Sequence, residues 1–143
     1  MCYWNRTTRV LVTRLAFGVA PLRPLAYCPG MRLKSEIWVK AYLRSCAGQG
    51  APAAVVRRGD SDAGVIFIKV TRLDRTADLY GPAPSGYVGD MGDRSWIPLA
   101  SQQPEDAIED RLAREIRLDH DIWILEIEDR QGRSFLETWL AKP

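Results

Sequence analysis

The segment that most constrains the fold is GVIFIKVTR, residues 64–72. Side chains alternate between the two faces of a β-strand, so Val65, Phe67 and Lys69 point one way and the residues between them point the other. The beginning of this strand is therefore apolar on both faces. Such a strand is stable in the middle of a sheet that is covered on both sides. We predict a central strand in a layered domain.

Two neighbouring segments are also typical of strands. AAVVRR, residues 53–58, precedes the central strand, and the connector GDSDAG, residues 59–64, is rich in the glycine and aspartate of turns. This pattern predicts that residues 53–58 and the central strand form a β-hairpin. TADLYGP, residues 76–82, predicts a third strand that is joined to the central one through the turn LDRT.

The later part of the chain predicts one more buried strand and a loop. IWILEIE, residues 122–128, is followed by the turn DRQGR, in which Gly132 suits a left-handed backbone conformation. SFLETWL, residues 134–140, is interpreted as a partner strand, although its apolar spacing also fits a short helix. The glycines and prolines of residues 81–98 predict a loop that contains Trp96.

Two helices are predicted. PEDAIEDRLAREIRL, residues 104–118, has proline first, acids near its beginning and arginines near its end, which suits the helix dipole. Ile108, Leu112 and Ile116 form its apolar stripe. SEIWVKAYLRSCA, residues 35–47, fits either an alternating strand or a helix, and its length and the glycines that follow it favour a helix.

These elements predict an α+β fold, with a mainly antiparallel sheet of four or five strands flanked by two helices. We assign them to a single domain, residues 31–143. Residues 1–30 hold four arginines and no acidic residue, which leaves 16 basic and 18 acidic residues, a net charge of −2, in the rest of the chain. The favoured interpretation of this leader is an upstream extension, with the true start at Met31. A targeting signal and a structural element are the alternatives.

Composition and motifs limit the function classes. No run of 18 apolar residues occurs, so no transmembrane span is predicted. The three cysteines form no CxxC pair, which suits the reducing cytoplasm. Zinc-site spacing, a calcium loop, a phosphate-binding loop and a G-x-S-x-G nucleophile are all missing from the sequence. We therefore predict no cofactor, no metal and no catalytic residue.

The stretch DHDIWILEIED, residues 119–129, holds the only histidine and five acidic residues. On a strand, Glu126 and Glu128 share one face about 6.6 Å apart, close enough to reach one divalent cation. Ile122 and Ile124 precede them on that face, which indicates that its first half is covered. The favoured interpretation is a strand that is buried at its beginning and reaches solvent at its acidic end.

Two further segments carry polar residues in patterns that suit binding. GDSDAG forms a good turn, but as a site it would gather Arg57, Arg58 and two aspartates at one end of the sheet. Residues 38–44 alternate the aromatic residues Trp38 and Tyr42 with basic residues, as single-stranded nucleic-acid binders do. On a helix the aromatic and basic side chains diverge, whereas on a strand they converge. The net charge of the domain argues against a nucleic-acid partner.

The segments LKSEIWVKAYLRSC, VVRRGDSDAGVIFIKV, LYGPAP and DHDIWILEIEDRQGRSFL together resemble a family of short alpha-proteobacterial proteins, domain-of-unknown-function family 1491. The resemblance runs from Met31 to about Leu140. Where that family tends to have Asp-Pro-Asp, this chain has Asp119-His120-Asp121. The difference implies that His120 is not an essential ligand. The resemblance implies no activity, substrate or cofactor.

We expect a small cytoplasmic binding or protein-interaction module, non-catalytic and without membrane contact, whose partner is an unknown protein or small molecule. One alternative is a divalent-metal-dependent hydrolase-like enzyme that uses Asp60, Asp62, Asp121 and Glu126. The other is a single-stranded nucleic-acid binder. A tryptophan in a loop either covers the hydrophobic core or binds a partner molecule, and we favour the first role, capping of the core, for Trp96. The candidate binding residues are Arg57, Arg58, Asp60, Asp62, Trp96, Asp121 and Glu126.

Overall fold

The computed structural model describes residues 33–84 and 94–141. These residues contain two helices and five strands. In chain order they are α1 (Ser35–Gly48), β1 (Ala53–Arg57), β2 (Ile66–Thr71), β3 (Thr76–Pro82), β4 (Trp96–Pro104), α2 (Glu105–Leu118) and β5 (Trp123–Glu128). The strands form one sheet in the order β1-β5-β2-β3-β4, antiparallel except for the β2–β5 pair. This confirms the predicted α+β fold. The predicted leader, residues 1–30, and residues 85–93 of the predicted loop lie outside the described residues.

The central position predicted for residues 64–72 is confirmed by β2. This strand is third of five in the sheet, and all six of its residues are buried. Ile66, Ile68 and Val70 pack on the face covered by α1, and Phe67 packs on the face covered by α2. The third predicted strand is also confirmed, because β3 pairs with β2 in antiparallel register. Each helix therefore seals one side of the same strand.

The predicted hairpin of residues 53–58 with the central strand is wrong, because β5 lies between β1 and β2. Leu125 and Ile127 of β5 are buried on the α1 face, and Ile124 is buried on the α2 face. A strand that is apolar on both faces belongs inside a sheet. β1 exposes three of its five residues and takes the edge instead. Between β2 and β5 the chain passes through β3, β4 and α2, and β2 and β5 run parallel.

Two further predictions fail in the last part of the sheet. Trp96 begins β4 and pairs with Pro82, so it does not lie in a loop. Residues 134–140 form neither a regular strand nor a helix, and only Leu140 pairs with β4, in a single parallel bridge to Trp96. The amides of Trp139 and Leu140 both donate to Leu136 O, at 2.7 and 2.9 Å, which closes a single turn. This turn directs neighbouring apolar side chains of the segment into the core together, which an alternating strand does not allow.

Aromatic side chains fill the core beneath α1, where the predicted helix of residues 35–47 is confirmed. The Trp38 ring stacks on Tyr42 at 4.8 Å and on Trp96 at 4.3 Å between centroids, and Trp139 meets it edge-on at 5.5 Å. The Tyr42 hydroxyl donates to Ser134 O, and the Trp96 Nε1 donates to Ile66 O. Trp96 is therefore a core residue, as the capping interpretation has it.

The α2 helix covers the other face by its predicted apolar stripe. Ile108 and Leu112 are buried against β2, β3 and β5, and Ile116 packs beside them half-buried. Pro104 precedes the helix, and Glu105 begins it.

We predict that Leu125→Ala lowers the free energy of unfolding by about 3 kcal/mol, because Leu125 is fully buried in a strand with neighbours on both edges. Chemical denaturation measures the change. Leu118→Ala is the control, since Leu118 is 83% exposed and its loss should change the stability by less than about 0.5 kcal/mol. Equal effects of the two substitutions would contradict the interior position of β5.

Candidate functional site

Six of the seven predicted binding residues come to one end of the sheet, where β2 and β5 begin. We call this end the junction and define it as residues 57–64 with Trp96 and residues 119–123. The Arg57 guanidinium donates to His120 O at 3.0 Å, and the Asp60 amide donates to Asp121 O at 3.0 Å. The indole Nε1 of Trp123 donates to Asp60 O at 2.7 Å. The seventh residue, Glu126, lies elsewhere.

The polar side chains of the junction are mostly engaged with one another and with α1. The Asp60 carboxylate accepts the amides of Ala63 at 2.7 Å and Asp62 at 3.1 Å, and these bonds lower its pKa. Asp62 pairs with Lys34 at 2.9 Å. Arg58 pairs with Glu36 at 2.9 Å. These contacts fix the loop of residues 59–64 in place.

The first turn of α1 rests on this loop. The amides of Ser35 and Glu36 donate to the carbonyls of Asp62 and Ser61 at 3.2 and 3.0 Å, which satisfies two of the free N–H groups of the helix. The buried Ser35 hydroxyl donates to Gly64 O at 2.7 Å. The loop therefore serves as the cap of α1, in addition to leading the chain past the beginning of β5.

We predict that Gly64→Ala lowers the free energy of unfolding by about 2 kcal/mol, because a Cβ atom at this position would lie 2.6 Å from Asp60 O and 2.7 Å from Asp121 O. Thermal or urea unfolding measures the loss. Gly48→Ala is the matched control, since nothing lies within 4 Å of its added carbon. A Gly64→Ala protein as stable as the control would show that the loop has room to shift.

The carboxylates of the hydrolase-like alternative do not converge. Asp60 and Asp121 are joined at the junction by a backbone hydrogen bond. Glu126 lies in β5, five residues after Asp121 and roughly 16 Å away at strand spacing. Within residues 33–84 and 94–141, no group of three His, Cys, Asp or Glu side chains is placed to hold a metal ion. The aromatic residues of the nucleic-acid alternative, Trp38 and Tyr42, are 4% and 1% exposed and so offer no stacking surface.

Glu126 belongs to a second cluster, which surrounds the buried Lys69 on the α2 face. The Lys69 ammonium is 2.9 Å from Glu105, 3.4 Å from Glu126, and hydrogen-bonded to Glu109. Desolvation acts to lower the pKa of Lys69, but the bonds to Glu109 and Glu105 and the attraction of Glu126 outweigh it and raise the pKa above the usual value. Lys69 therefore stays charged and is unsuited to act as a nucleophile.

We predict that Lys69→Met lowers the free energy of unfolding at neutral pH by about 2 kcal/mol, because three carboxylates then face one another without a cation. Carboxylates lose their negative charge as the pH falls to about 4, and the loss of charge relieves this repulsion in the variant. The wild-type ammonium is present at both pH values. The stability gap should therefore shrink as the pH falls.

Urea unfolding at the two pH values measures this gap. Lys40→Met is the matched control, because Lys40 pairs with Glu36 while 66% exposed and its loss should change little at either pH. A gap that stays constant or widens toward low pH would contradict the role given to Lys69.

A cleft of about 680 Å³ lies at the opposite end of the sheet from the junction. We call it the carboxyl-end cleft, because β2 and β5 are parallel and both end there, at Thr71 and Glu128. Crevices at the carboxyl ends of parallel strands are common ligand sites. The turn of residues 129–133, Leu73 and the segment around Pro52 complete its lining. Its charged lining residues are Arg72, Glu105, Glu126, Glu128, Asp129, Arg130 and Arg133.

Two of the three arginines in the cleft are held by buried aspartates. Arg72 forms a bidentate pair with Asp78, with N–O distances of 3.0 and 2.5 Å. Arg133 pairs with Asp129 at 2.7 Å, which is the main reason that the pKa of Asp129 lies below its usual value. Gly132 has φ +70°, and a side chain there would collide with the Arg72 guanidinium. The predicted left-handed Gly132 is confirmed.

The remaining arginine differs from these two. Arg130 is exposed, and its guanidinium makes no hydrogen bond or ion pair with the part of the chain that the structure describes. The Glu128 carboxylate likewise makes no hydrogen bond or ion pair with the described residues. Two other glutamates of the cleft, Glu105 and Glu126, form ion pairs with Lys69. As far as the described residues go, the cleft therefore presents one unpaired cation and one unpaired anion.

Sequence reasoning found one of the lining residues, Glu126, and missed the rest of the cleft. The turn DRQGR is evident in the sequence, but Arg130 can be assigned to a cleft only once β2 is known to end beside β5. The sequence could have indicated the cluster around Lys69, because this lysine lies in an otherwise apolar strand. A charge in such a position needs partners of opposite sign.

The fold and the cleft define a small α+β protein with a mixed sheet and a polar cleft at the ends of its two parallel strands. Neither helix in the described part of the chain has the length and apolar content that a membrane crossing needs. The chain belongs to the DUF1491 family of proteins of unknown function, whose model matches residues 33–137. No curated protein matches it.

Solved structures of the same family share the fold. A crystal structure of a DUF1491 family protein from Caulobacter crescentus CB15 is 36% identical, with a TM-score of 0.65 over 78% of this chain and 100% of that chain. An NMR structure of a DUF1491 family protein from the same organism is 38% identical, with a TM-score of 0.65 over 79% and 100%. The solution structure of a protein from A. tumefaciens is 34% identical, with a TM-score of 0.66 over 79% and 98%. These similarities confirm the family resemblance.

Proposed function

We propose that this protein is a non-catalytic binding module of the cytoplasm that holds a small zwitterionic ligand in the carboxyl-end cleft. The observation that carries this proposal is the pair Arg130 and Glu128. Every other charged side chain that lines the cleft has a partner within the protein, whereas these two have none among the described residues. The cytoplasmic location rests on the cysteine pattern of the sequence.

The unpaired charges define the ligand class. The planar guanidinium of Arg130 offers donors that match a carboxylate, and the Glu128 carboxylate accepts hydrogen bonds from an ammonium group. A purely anionic ligand would leave Glu128 without a partner, and a purely cationic one would leave Arg130 without a partner. A volume of about 680 Å³ suits a small molecule or a short peptide.

The engagement of the other polar groups favours binding over catalysis. Lys69 is held as an ammonium by its glutamates, and Asp129 is held as a carboxylate by Arg133. A general acid or base works best when its pKa lies near the working pH. The pKa of Lys69 is raised and that of Asp129 is lowered, which moves both away from neutrality. The sequence-based prediction that the junction residues bind a ligand remains a prediction.

The test uses three peptides of matched size: L-alanyl-L-alanine, its N-acetyl derivative, and its C-terminal amide. We expect the zwitterion to shift the backbone amide resonances of residues 71–73 and 128–133. Each capped peptide should bind about tenfold more weakly, because it leaves one charged group of the cleft unpaired. Arg130→Gln should abolish the preference for a free carboxylate, and Glu128→Gln should abolish the preference for a free ammonium.

Arg117→Gln is the control for the removal of an exposed arginine outside the cleft. It should leave all three affinities unchanged. The proposal fails if the zwitterion shifts no cleft resonance, or if Arg130→Gln and Glu128→Gln bind the three peptides as the unmodified protein does.

A further inference from the structure

The β1 strand lies at an edge of the sheet with its outer side unpaired by any described strand. It pairs with β5 alone, through residues 53–57. Val55 is 39% exposed and Val56 is 60% exposed, although both residues belong to the strand. Apolar side chains and free backbone groups at a sheet edge together form a template for a further strand.

Apolar grooves flank this edge on both faces of the sheet. On the α1 face, a groove of about 210 Å³ is lined by Val39, Leu43, Val55 and Trp123. On the α2 face, a groove of about 270 Å³ is lined by Val56, Leu112, Ala113, Ile116 and Ile124 together with charged residues. Each groove therefore lies between a helix and the two strands β1 and β5. An added strand directs alternate side chains to the two faces and would fill both grooves.

The rim of the α1-face groove is positively charged. Lys40 and Arg58 are 66% and 68% exposed, and both pair with the single carboxylate of Glu36. Arg44 lies one helical turn beyond Lys40, exposed and without an ion-pair partner in the described part of the chain. On the α2 face, the two cations that line the groove, Arg57 and Lys69, balance its two carboxylates, Glu109 and Glu126. The edge therefore favours an acidic partner.

A second copy of this chain fits the edge poorly. The sequence of β1 and the residue after it, AAVVRR, contains no acidic residue that could pair with the arginines of another β1. The register of β1 also shifts between Val55 and Arg57, and such a bulge limits indiscriminate pairing at an edge. An acidic strand from another protein can pair next to residues 53–55, where the register is regular.

We propose that β1 docks an extended segment of a partner protein by strand addition, and that this segment carries apolar residues flanked by acidic ones. The apolar side chains enter the grooves beside Val55 and Val56. The acidic side chains meet Lys40, Arg44 and Arg58. This surface is separate from the carboxyl-end cleft, whose lining shares only Glu126 with the two grooves.

The test compares the peptide acetyl-EEVLVEE-amide with acetyl-KKVLVKK-amide on the full chain. We expect the acidic peptide to shift the amide resonances of residues 53–58 and to slow their hydrogen exchange. The basic peptide should bind at least about tenfold more weakly. Arg58→Glu should narrow or reverse this preference. Val55→Ser should weaken binding of the acidic peptide about tenfold.

Leu118→Ser is the control, because Leu118 is a highly exposed apolar residue outside both grooves. It should leave peptide binding unchanged. Equal binding of the two peptides, or no shift at residues 53–58, would overturn the proposal. Self-association that Val55→Ser abolishes would also overturn it, in favour of a second copy as the occupant. Shifts confined to residues 128–133 would indicate the cleft and not the edge.

Discussion

The burial of β5 on both faces is the constraint on which the rest of the structure depends. Its apolar side chains fill the core under α1 and the core under α2, and at an edge part of this apolar surface would contact water. Insertion of β5 between β1 and β2 leaves β1 at the edge. It also makes β2 and β5 end at the same side of the sheet, where the cleft lies. Both surfaces of functional interest thus follow from the position of one strand.

The two ends of the parallel pair use polar residues differently. At the junction, Asp60, Asp62 and Arg58 bind backbone amides or nearby charges, and the loop caps α1. At the carboxyl ends, the buried charges are paired as well, because an isolated buried charge is very costly. Arg130 and Glu128 are exposed, so they can remain unpaired at little cost to stability. A cleft whose exposed charges have no partner in the described part of the chain is suited to a ligand that supplies those partners.

The elements themselves could be predicted from the sequence with few errors. α2 follows from its stripe and end residues, and β2 and β5 follow from runs that are apolar on both faces. The hairpin prediction failed because the turn signal of GDSDAG is local and does not indicate which strand pairs with β2. The neighbour of β2 was decided by β5, more than fifty residues later in the chain. The strand prediction for residues 134–140 failed because this segment forms a single turn, from which its apolar side chains pack on the aromatic core.

By itself, the sequence determined the type of most elements, the two-sided burial of the central strands and the family. The element types and the two-sided burial depend on side-chain periodicity within one segment, whereas the family depends on the resemblance of several segments to known members. Only the tertiary structure decided which strands are neighbours and that Lys69 meets Glu109 forty residues away. It also decided that Arg130 and Glu128 have no partner among the residues that the structure describes. The reason is physical. A charge is paired or unpaired according to what the fold brings within a few ångströms, and a single segment does not contain that information.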